Sequence, residues 1–213
     1  MLYSGYLYGG FYTQKSVNTS FEQFGLNIGI TGPSSLGEDI QKRIHHTFGE
    51  PKPKGWSSQK KDEIAYNWHW HKKHKTPSFM IFNKYKNEII YDYGLTLGNV
   101  YRNIKLGVVS RSDAYLPSDF RPGRINDPQD STTNKPNQLL KHYLFSRCDL
   151  WGVEQNLFLQ DLDIEPIVIQ GEIGIVMYSG RYEMAFTQSI KSKEYVNQSH
   201  TDTFAGFNLS YRF

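Results

Sequence analysis

The C-terminal stretch Ala205-Gly206-Phe207-Asn208-Leu209-Ser210-Tyr211-Arg212-Phe213 alternates apolar residues with polar or small ones without a slip. A period of two is typical of a β-strand that has one apolar face. The same alternation recurs upstream in clear phase at 24–30, 64–71, 89–98, 103–108, 169–177 and 181–187, and in poorer phase at 2–13 and 142–159. The pattern therefore predicts an all-β chain with about nine strands.

The composition agrees with strands and excludes several classes of protein. The 213 residues include 15 Tyr, 13 Phe and 18 Gly. The number of Lys and Arg residues, 24, is close to the number of Asp and Glu residues, 21. Since neither sign of charge dominates, we do not expect nucleic acid as a partner. The single cysteine, Cys148, excludes an intrachain disulfide and a cysteine-based zinc site. No apolar run reaches the roughly eighteen residues that a membrane-spanning helix needs.

Alternation alone leaves two architectures open. A soluble barrel or sandwich buries the apolar face of its strands, whereas an outer-membrane barrel turns that face toward lipid. Three features favour the membrane barrel: charged residues and Asn on the polar faces, Tyr and Trp on the apolar faces, and a final strand that ends on Phe213. We therefore predict an antiparallel outer-membrane β-barrel that forms a single domain over 1–213. A soluble lipid-binding barrel is the alternative.

The long connection 32–60 contains signals for a short helix. Ser35-Leu36-Gly37-Glu38 fits a capping box that can begin a helix, and Gly49 with Pro51 can end it. The other long connection, 110–141, is rich in Pro, Ser, Asp and Asn and is expected to be irregular. We expect the helix to lie in a loop between two barrel strands.

Two polar side chains of this helix are candidates for chemistry. Gln41 and His45 are four residues apart and should project from one face, whereas His46 lies about 100° round the helix. A histidine can take a proton from water near neutral pH. The alternative is a solvated helix whose histidines only face water. His69 and His71 share a strand face but lie among lysines, which disfavours a cation site.

A family resemblance extends along the whole chain. The stretch 32–45, Gly32-Pro33-Ser34-Ser35-Leu36-Gly37-Glu38-Asp39-Ile40-Gln41-Lys42-Arg43-Ile44-His45, is followed by Gly49 and by Gly55-Trp56-Ser57-Ser58-Gln59. This pattern resembles the lipid A 3′-O-deacylases of the outer membrane (LpxR type). Further similar segments are Leu97-Gly98-Asn99-Val100-Tyr101 with Gly107, Asp119-Phe120-Arg121-Pro122, Lys193-Glu194-Tyr195 with Gln198, and Ser210-Tyr211-Arg212-Phe213.

The resemblance implies a fold and an activity. Members of this family form a twelve-stranded antiparallel barrel, with an active site between the barrel wall and a helix in an extracellular loop, here 35–47. They hydrolyse the ester that links the 3′-acyloxyacyl chain to lipid A, with a calcium ion that polarises the carbonyl and a histidine that activates water. The resemblance gives that role to His45, matches Gln41 to a glutamine one turn earlier, and makes Glu50 the nearest candidate calcium ligand.

The resemblance also implies a partner and a location. The substrate would be lipid A or lipopolysaccharide in the outer leaflet of the bacterial outer membrane. The family begins with strands that carry an Asn-Asp pair and a hydroxyl residue, whereas the first strand here resembles the family's fourth. We therefore expect about three quarters of the family barrel, with weak calcium binding and weak hydrolysis by the chain alone. A non-catalytic outer-membrane barrel or an inactive truncated homologue is the alternative function.

Overall fold

The computed structural model describes residues 4–81, 84–113, 116–120 and 140–211. These residues contain one α-helix, α1, at Gly37–Phe48, and short 3-10 turns at Pro33–Ser35, Trp56–Ser58 and Leu157–Leu159. The strands are β1 Tyr6–Val17, β2 Ser20–Thr31, β3 Glu63–Lys75, β4 Phe79–Ile81, β5 Tyr85–Gly98, β6 Tyr101–Asp113, β7 Lys141–Asn156, β8 Ile167–Ser179, β9 Tyr182–Lys191 and β10 Asp202–Tyr211. No helix in these ranges is both long enough and apolar enough to cross a membrane.

All ten strands belong to one antiparallel sheet. The order of neighbours is β1-β2-β3-β5-β6-β7-β8-β9-β10, and the three-residue β4 pairs with β5 beside this path. The path confirms the prediction of about nine strands. Because neighbours are antiparallel, the connections alternate between two ends. The connection that carries α1 lies at the same end as those that follow β5, β7 and β9, and this end is called the helix end below.

The two faces of the sheet differ in the way that a membrane barrel requires. On β3, Ala65, Asn67 and Lys73 are buried, whereas Ile64 and Tyr66 are exposed. Cross-strand neighbours extend this apolar exposed face. One row contains Leu26, Trp68 and Leu97, and a second row contains Tyr93, Leu106, Leu150 and Ile169. A soluble barrel would bury these side chains. The exposed apolar surface, the outer face, therefore excludes the soluble alternative.

Ion pairs occupy the middle of the buried inner face. Lys105 Nζ lies 2.9 Å and Arg147 Nη2 lies 2.7 Å from Asp92 Oδ2, and all three side chains are 0% exposed. Arg147 also pairs with Asp149 at 3.0 Å. Buried charges are tolerated when they are paired and hydrogen-bonded. These residues lie on β5, β6 and β7, so the ion pairs bind three neighbouring strands to one another.

Apolar clusters lie on either side of these ion pairs. The cluster away from the helix end consists of Phe21, Ile90, Val109, Phe120, Tyr143, Phe145 and Val176. Beside it, Arg111 pairs with Glu88 and with Asp119, whose segment 116–120 reaches into the inner face. At the helix end, Ala65, Val100 and Leu157 form a smaller cluster. The inner face is therefore packed with side chains at both ends.

Some boundaries differ from the sequence prediction. β1 continues to Val17, well past the predicted end of 2–13, because its whole length pairs with β2. β7 ends at Asn156, and the predicted continuation to 159 is a 3-10 turn in which the Asn156 side chain accepts a hydrogen bond from the Phe158 N–H. Phe213, Arg121 and Pro122 lie outside the described residues, as does most of the connection 110–141.

Candidate active site

The predicted helix is present, but it begins differently. α1 spans Gly37–Phe48 rather than 35–47. The capping box is wrong, because Ser35 lies in a 3-10 turn and its hydroxyl donates to the Gly32 carbonyl at 2.5 Å. Leu36, with φ 60°, precedes the helix without a side-chain cap. The predicted end is confirmed: Gly49 adopts a left-handed φ of 70°, which glycine tolerates best, and its N–H donates back to α1.

A contact between two glycines seats the start of α1 on the backbone that leads into β1. A Cβ atom added to Gly37 would lie 2.8 Å from Gly5 Cα and 3.2 Å from Trp56 Cη2. A Cβ atom added to Gly5 would overlap Ser35 Oγ. Such distances are shorter than ordinary van der Waals contact between heavy atoms. The position of α1 relative to the strands therefore depends on the absence of side chains at Gly5 and Gly37.

The segment after α1 folds back and braces the helix. Gly55, with φ 112°, leads into the turn Trp56–Ser58, and Trp56 is only 8% exposed. The Trp56 indole N–H donates to Gln41 Oε1 at 2.7 Å, and Gln59 Nε2 donates to Glu38 Oε2 at 3.0 Å. Glu38 also pairs with Lys42 along the helix. Two hydrogen bonds, one turn apart on α1, thus fix the helix to the segment 55–59.

The imidazole of His45 is held in one tautomer. Its Nδ1 lies 2.7 Å from the Pro51 carbonyl oxygen. A carbonyl oxygen can only accept, so Nδ1 carries the proton in this contact and Nε2 keeps its lone pair. His45 is half-buried, one helical turn after Gln41. The geometry therefore presents a nitrogen base beside an amide on one face of α1.

Glu50 follows the last turn of α1, and its carboxylate is not part of a cluster of described His, Cys, Asp or Glu side chains. Its backbone N–H donates to the His45 carbonyl at 2.8 Å, and its side chain is exposed. Calcium takes six to eight oxygen ligands. Within the described ranges, no group of three or more His, Cys, Asp or Glu side chains is placed to hold a metal ion. Within the described part of the chain, Glu50 therefore has no group of other carboxylates or imidazoles with which to bind a metal ion.

Asp62, a further acidic residue of this connection, has a structural partner. Asp62 accepts hydrogen bonds from the Ser34 N–H at 2.8 Å and from the Ser34 hydroxyl at 2.7 Å. These two donors lower the pKa of the Asp62 carboxyl below its ordinary value. The pair joins the residues that follow β2 to the residue that precedes β3. Asp62 therefore fixes the base of the helix-bearing connection.

Lys60 is unusual because its ammonium group is buried. The residue is 8% exposed, Nζ lies 4.0 Å from Asp161 Oδ2, and within the described structure Nζ has no hydrogen-bond partner. Burial lowers the pKa of Lys60. Asp161 belongs to the connection after β7, so this long contact relates two connections at the helix end.

The other histidines considered in the sequence analysis, His46, His69 and His71, do not join His45. His46 is exposed on α1, and His69 lies on the inner face with its ring nitrogens 3.0 Å from Asn27 Nδ2 and 3.2 Å from Thr96 Oγ1. His71 is buried on the same strand. The structure thus gives His69 polar neighbours rather than metal ligands.

Sequence reasoning missed the residues that orient the candidate pair. Trp56 and Gln59 belong to the Gly-Trp-x-x-Gln spacing that carried the family resemblance, yet their contacts with α1 were not predicted. The roles of Pro51 and Gly5 also became visible only in three dimensions. The one signal in the sequence for these contacts was the separation between the segment 55–59 and the Gln41–His45 pair, which belong to the same family pattern.

Comparisons with known proteins identify the family and the fold. The chain matches the family described as "Outer membrane protein LpxR" over residues 1–213. A search of curated proteins found no match. Among solved structures, LpxR from Salmonella typhimurium aligns with a TM-score of 0.83 at 18% sequence identity, covering 100% of this chain and 74% of that chain. The fold is that of the LpxR barrel, and the chain belongs to the LpxR family of outer membrane proteins.

Proposed function

We propose that the protein is an outer-membrane lipid A 3′-O-deacylase, an ester hydrolase acting on lipid A or lipopolysaccharide of the outer leaflet. Family membership and the apolar outer face support this location and substrate. The observation that carries the chemistry is the contact between His45 Nδ1 and the Pro51 carbonyl, which leaves Nε2 free to act as a base. Gln41 lies one turn away on the same face.

The proposed reaction is hydrolysis by an activated water molecule. His45 Nε2 takes one proton from a water molecule while the water oxygen attacks the carbonyl carbon of the ester. The tetrahedral intermediate then collapses, and the bond between the carbonyl carbon and the sugar oxygen breaks. The imidazolium gives its proton to that sugar oxygen. Acid and alcohol are the products. The Pro51 carbonyl accepts a hydrogen bond from Nδ1 throughout, so the ring keeps the orientation that directs Nε2 to the water.

The outer face would give lipid A access to the candidate active site. Lipid A already lies in the outer leaflet, so its acyl chains can remain against the apolar surface formed by residues such as Ile64 and Tyr66. Only the ester must reach α1. This route avoids moving the acyl chains into water, a transfer that costs about 0.8 kcal/mol per methylene.

Calcium dependence is part of the proposal by resemblance. A bound calcium ion would supply polarisation of the scissile carbonyl. Glu50 is the candidate ligand from this chain, since its carboxylate is exposed beside the His45 turn. Chelation with EGTA, followed by titration with calcium or magnesium, tests this part alone. Activity that persists in EGTA would remove calcium and Glu50 from the proposal.

The central experiment compares variants of neighbouring histidines. Outer membranes from cells that produce the protein, His45→Ala or His46→Ala are incubated with lipopolysaccharide, and the lipid A is analysed by mass spectrometry. We expect His45→Ala to release 3′ acyl chains at least about 10²-fold more slowly, because a general base is lost. His46→Ala should act like the parent protein. Retained heat-modifiability on gels would show that the barrel still folds.

Two outcomes would contradict the proposal. If membranes with the parent protein leave lipid A unchanged, the alternative of a non-catalytic barrel or an inactive homologue is favoured. If both histidine variants release acyl chains at the parent rate, the protein is an esterase but His45 is not its base.

A further inference from the structure

The hydrogen bond between Trp56 and Gln41 determines which way the Gln41 amide faces. An indole N–H can only donate. The Gln41 atom 2.7 Å from Trp56 Nε1 must therefore be the amide oxygen, and the opposite orientation would set two donors against each other. The Gln41 NH2 group consequently faces away from Trp56.

The indole itself has little freedom to move. Trp56 is 8% exposed, and its ring tip, Cη2, lies 3.2 Å from where a Gly37 side chain would begin. Its own turn is closed by the Ser58 N–H on the Gly55 carbonyl at 3.2 Å and by the Gln59 N–H on the Trp56 carbonyl at 3.1 Å. The ring thus lies along the first turn of α1, from Gly37 to Gln41, and both of its ends are in contact.

The oriented amide leaves its donors available. Among the described residues, the bond from Trp56 is the one side-chain hydrogen bond of Gln41, and the residue is half-buried. Gln41 lies on the face of α1 that carries His45, one turn before it, and its two N–H groups point away from Trp56. Without the indole, rotation about the last side-chain bond could exchange the positions of the amide oxygen and the NH2 group.

We propose that Trp56 is a positioning residue that holds Gln41 as a hydrogen-bond donor to the carbonyl oxygen of the ester. This inference rests on the proposed hydrolase activity. Attack by water makes that oxygen negative, and a fixed donor stabilises it more than one that must first reorient. Gln41 touches the reacting group, and Trp56 acts only through Gln41.

Substitutions that separate the N–H group from the ring test the inference. Trp56→Phe keeps most of the ring and removes the donor, Gln41→Ala removes the amide, and Gln41→Glu keeps an acceptor for Trp56 but replaces the NH2 group with oxygen. Trp70→Phe is the matched control, because the Trp70 indole N–H also bonds to a side-chain oxygen, Glu22 Oε1 at 2.8 Å, on a strand away from α1.

The kinetic result expected is a loss of kcat with little change in KM. Loss of one oxyanion donor costs about 10²-fold, so Gln41→Ala and Gln41→Glu should both fall by that order. Trp56→Phe should lower kcat about tenfold, and adding it to Gln41→Ala should produce no further loss. Trp70→Phe should leave kcat unchanged.

A spectroscopic readout tests the contact without activity. In proton–nitrogen NMR spectra of the detergent-solubilised protein, Gln41→Ala should shift the Trp56 indole signal upfield, Gln41→Glu should keep it hydrogen-bonded, and the Trp70 signal should not move. Losses of kcat that multiply in the double variant, or an unmoved Trp56 signal, would overturn the positioning role. Absence of acyl release by the parent protein would instead refute the proposed function, and the NMR result would still decide the contact.

Discussion

Gly37→Ala adds one carbon atom at the point where the start of α1 contacts the backbone that leads into β1. The new Cβ would lie 2.8 Å from Gly5 Cα and 3.2 Å from Trp56 Cη2. Carbon atoms pack at about 3.5–4.0 Å, so the start of the helix must retreat by about 1 Å from the backbone at Gly5. Neither neighbour is the free end of a flexible chain that could move aside cheaply.

The expected effect on catalysis is larger than the effect on stability. Displacing a catalytic group by about 1 Å can cost about 10²-fold in rate. Alanine favours a helix over glycine by up to about 1 kcal/mol, which offsets part of the strain. We therefore expect kcat for acyl release to fall by about 10²-fold, while the heat-modified gel transition shifts by only a few degrees.

The assay measures initial rates of 3′ acyl release from lipopolysaccharide by the purified protein in detergent. Gly9→Ala is the control, because a Cβ atom at Gly9 meets no atom within 4 Å. It should retain the parent rate. A Gly37→Ala protein that works within twofold of the parent rate would show that the glycine contact does not set the position of the catalytic helix.

Three further predictions concern stability. Asp92→Asn removes the charge shared by Lys105 and Arg147 and should cost about 3 kcal/mol in urea unfolding from lipid vesicles; a loss below about 1 kcal/mol would contradict this. The Ser34 contacts hold the pKa of Asp62 low, so their stabilisation is present above the ordinary aspartate range and is lost as pH falls through the lowered pKa. Thermal scans should then show a smaller loss of melting temperature between pH 5 and pH 3 for Asp62→Asn than for the parent (pH values chosen around the ordinary aspartate pKa of about 3.9). Lys60→Met removes a buried ammonium whose nearest ion-pair contact among the described residues is 4.0 Å long, and it should raise the midpoint of the same scans, whereas a lower midpoint would show that the pair with Asp161 is stabilising.

The strands could be predicted because their signal is local. Period-two alternation depends only on neighbouring residues, and even the face exposed to lipid was indicated by Tyr and Trp on the apolar side. The start of α1 could not be predicted in the same way. The Ser35 hydroxyl could either accept a hydrogen bond from an N–H at the helix N-terminus or donate one to a nearby carbonyl, and in the structure it donates to the Gly32 carbonyl in a 3-10 turn.

The supporting contacts of the site depend on distant parts of the chain. Trp56 meets Gln41 only because Gly55, at φ 112°, turns the segment back onto α1. Asp92 and Arg147 are 55 residues apart, and their pairing follows from the register of three strands. Spacing in the sequence predicts His45 and Gln41 as candidate residues, whereas their orientation depends on contacts with Pro51 and Trp56.

The two faces of the sheet impose unequal limits on mutation. Fluid acyl chains conform to any apolar outline, so a position such as Leu106 or Ile169 can exchange one hydrocarbon side chain for another at little cost. An inward position such as Asp92 can change safely only when Lys105 and Arg147 change with it. Substitutions should therefore accumulate on the lipid side over evolutionary time, and barrels of this kind can keep one architecture long after most of their residues have diverged.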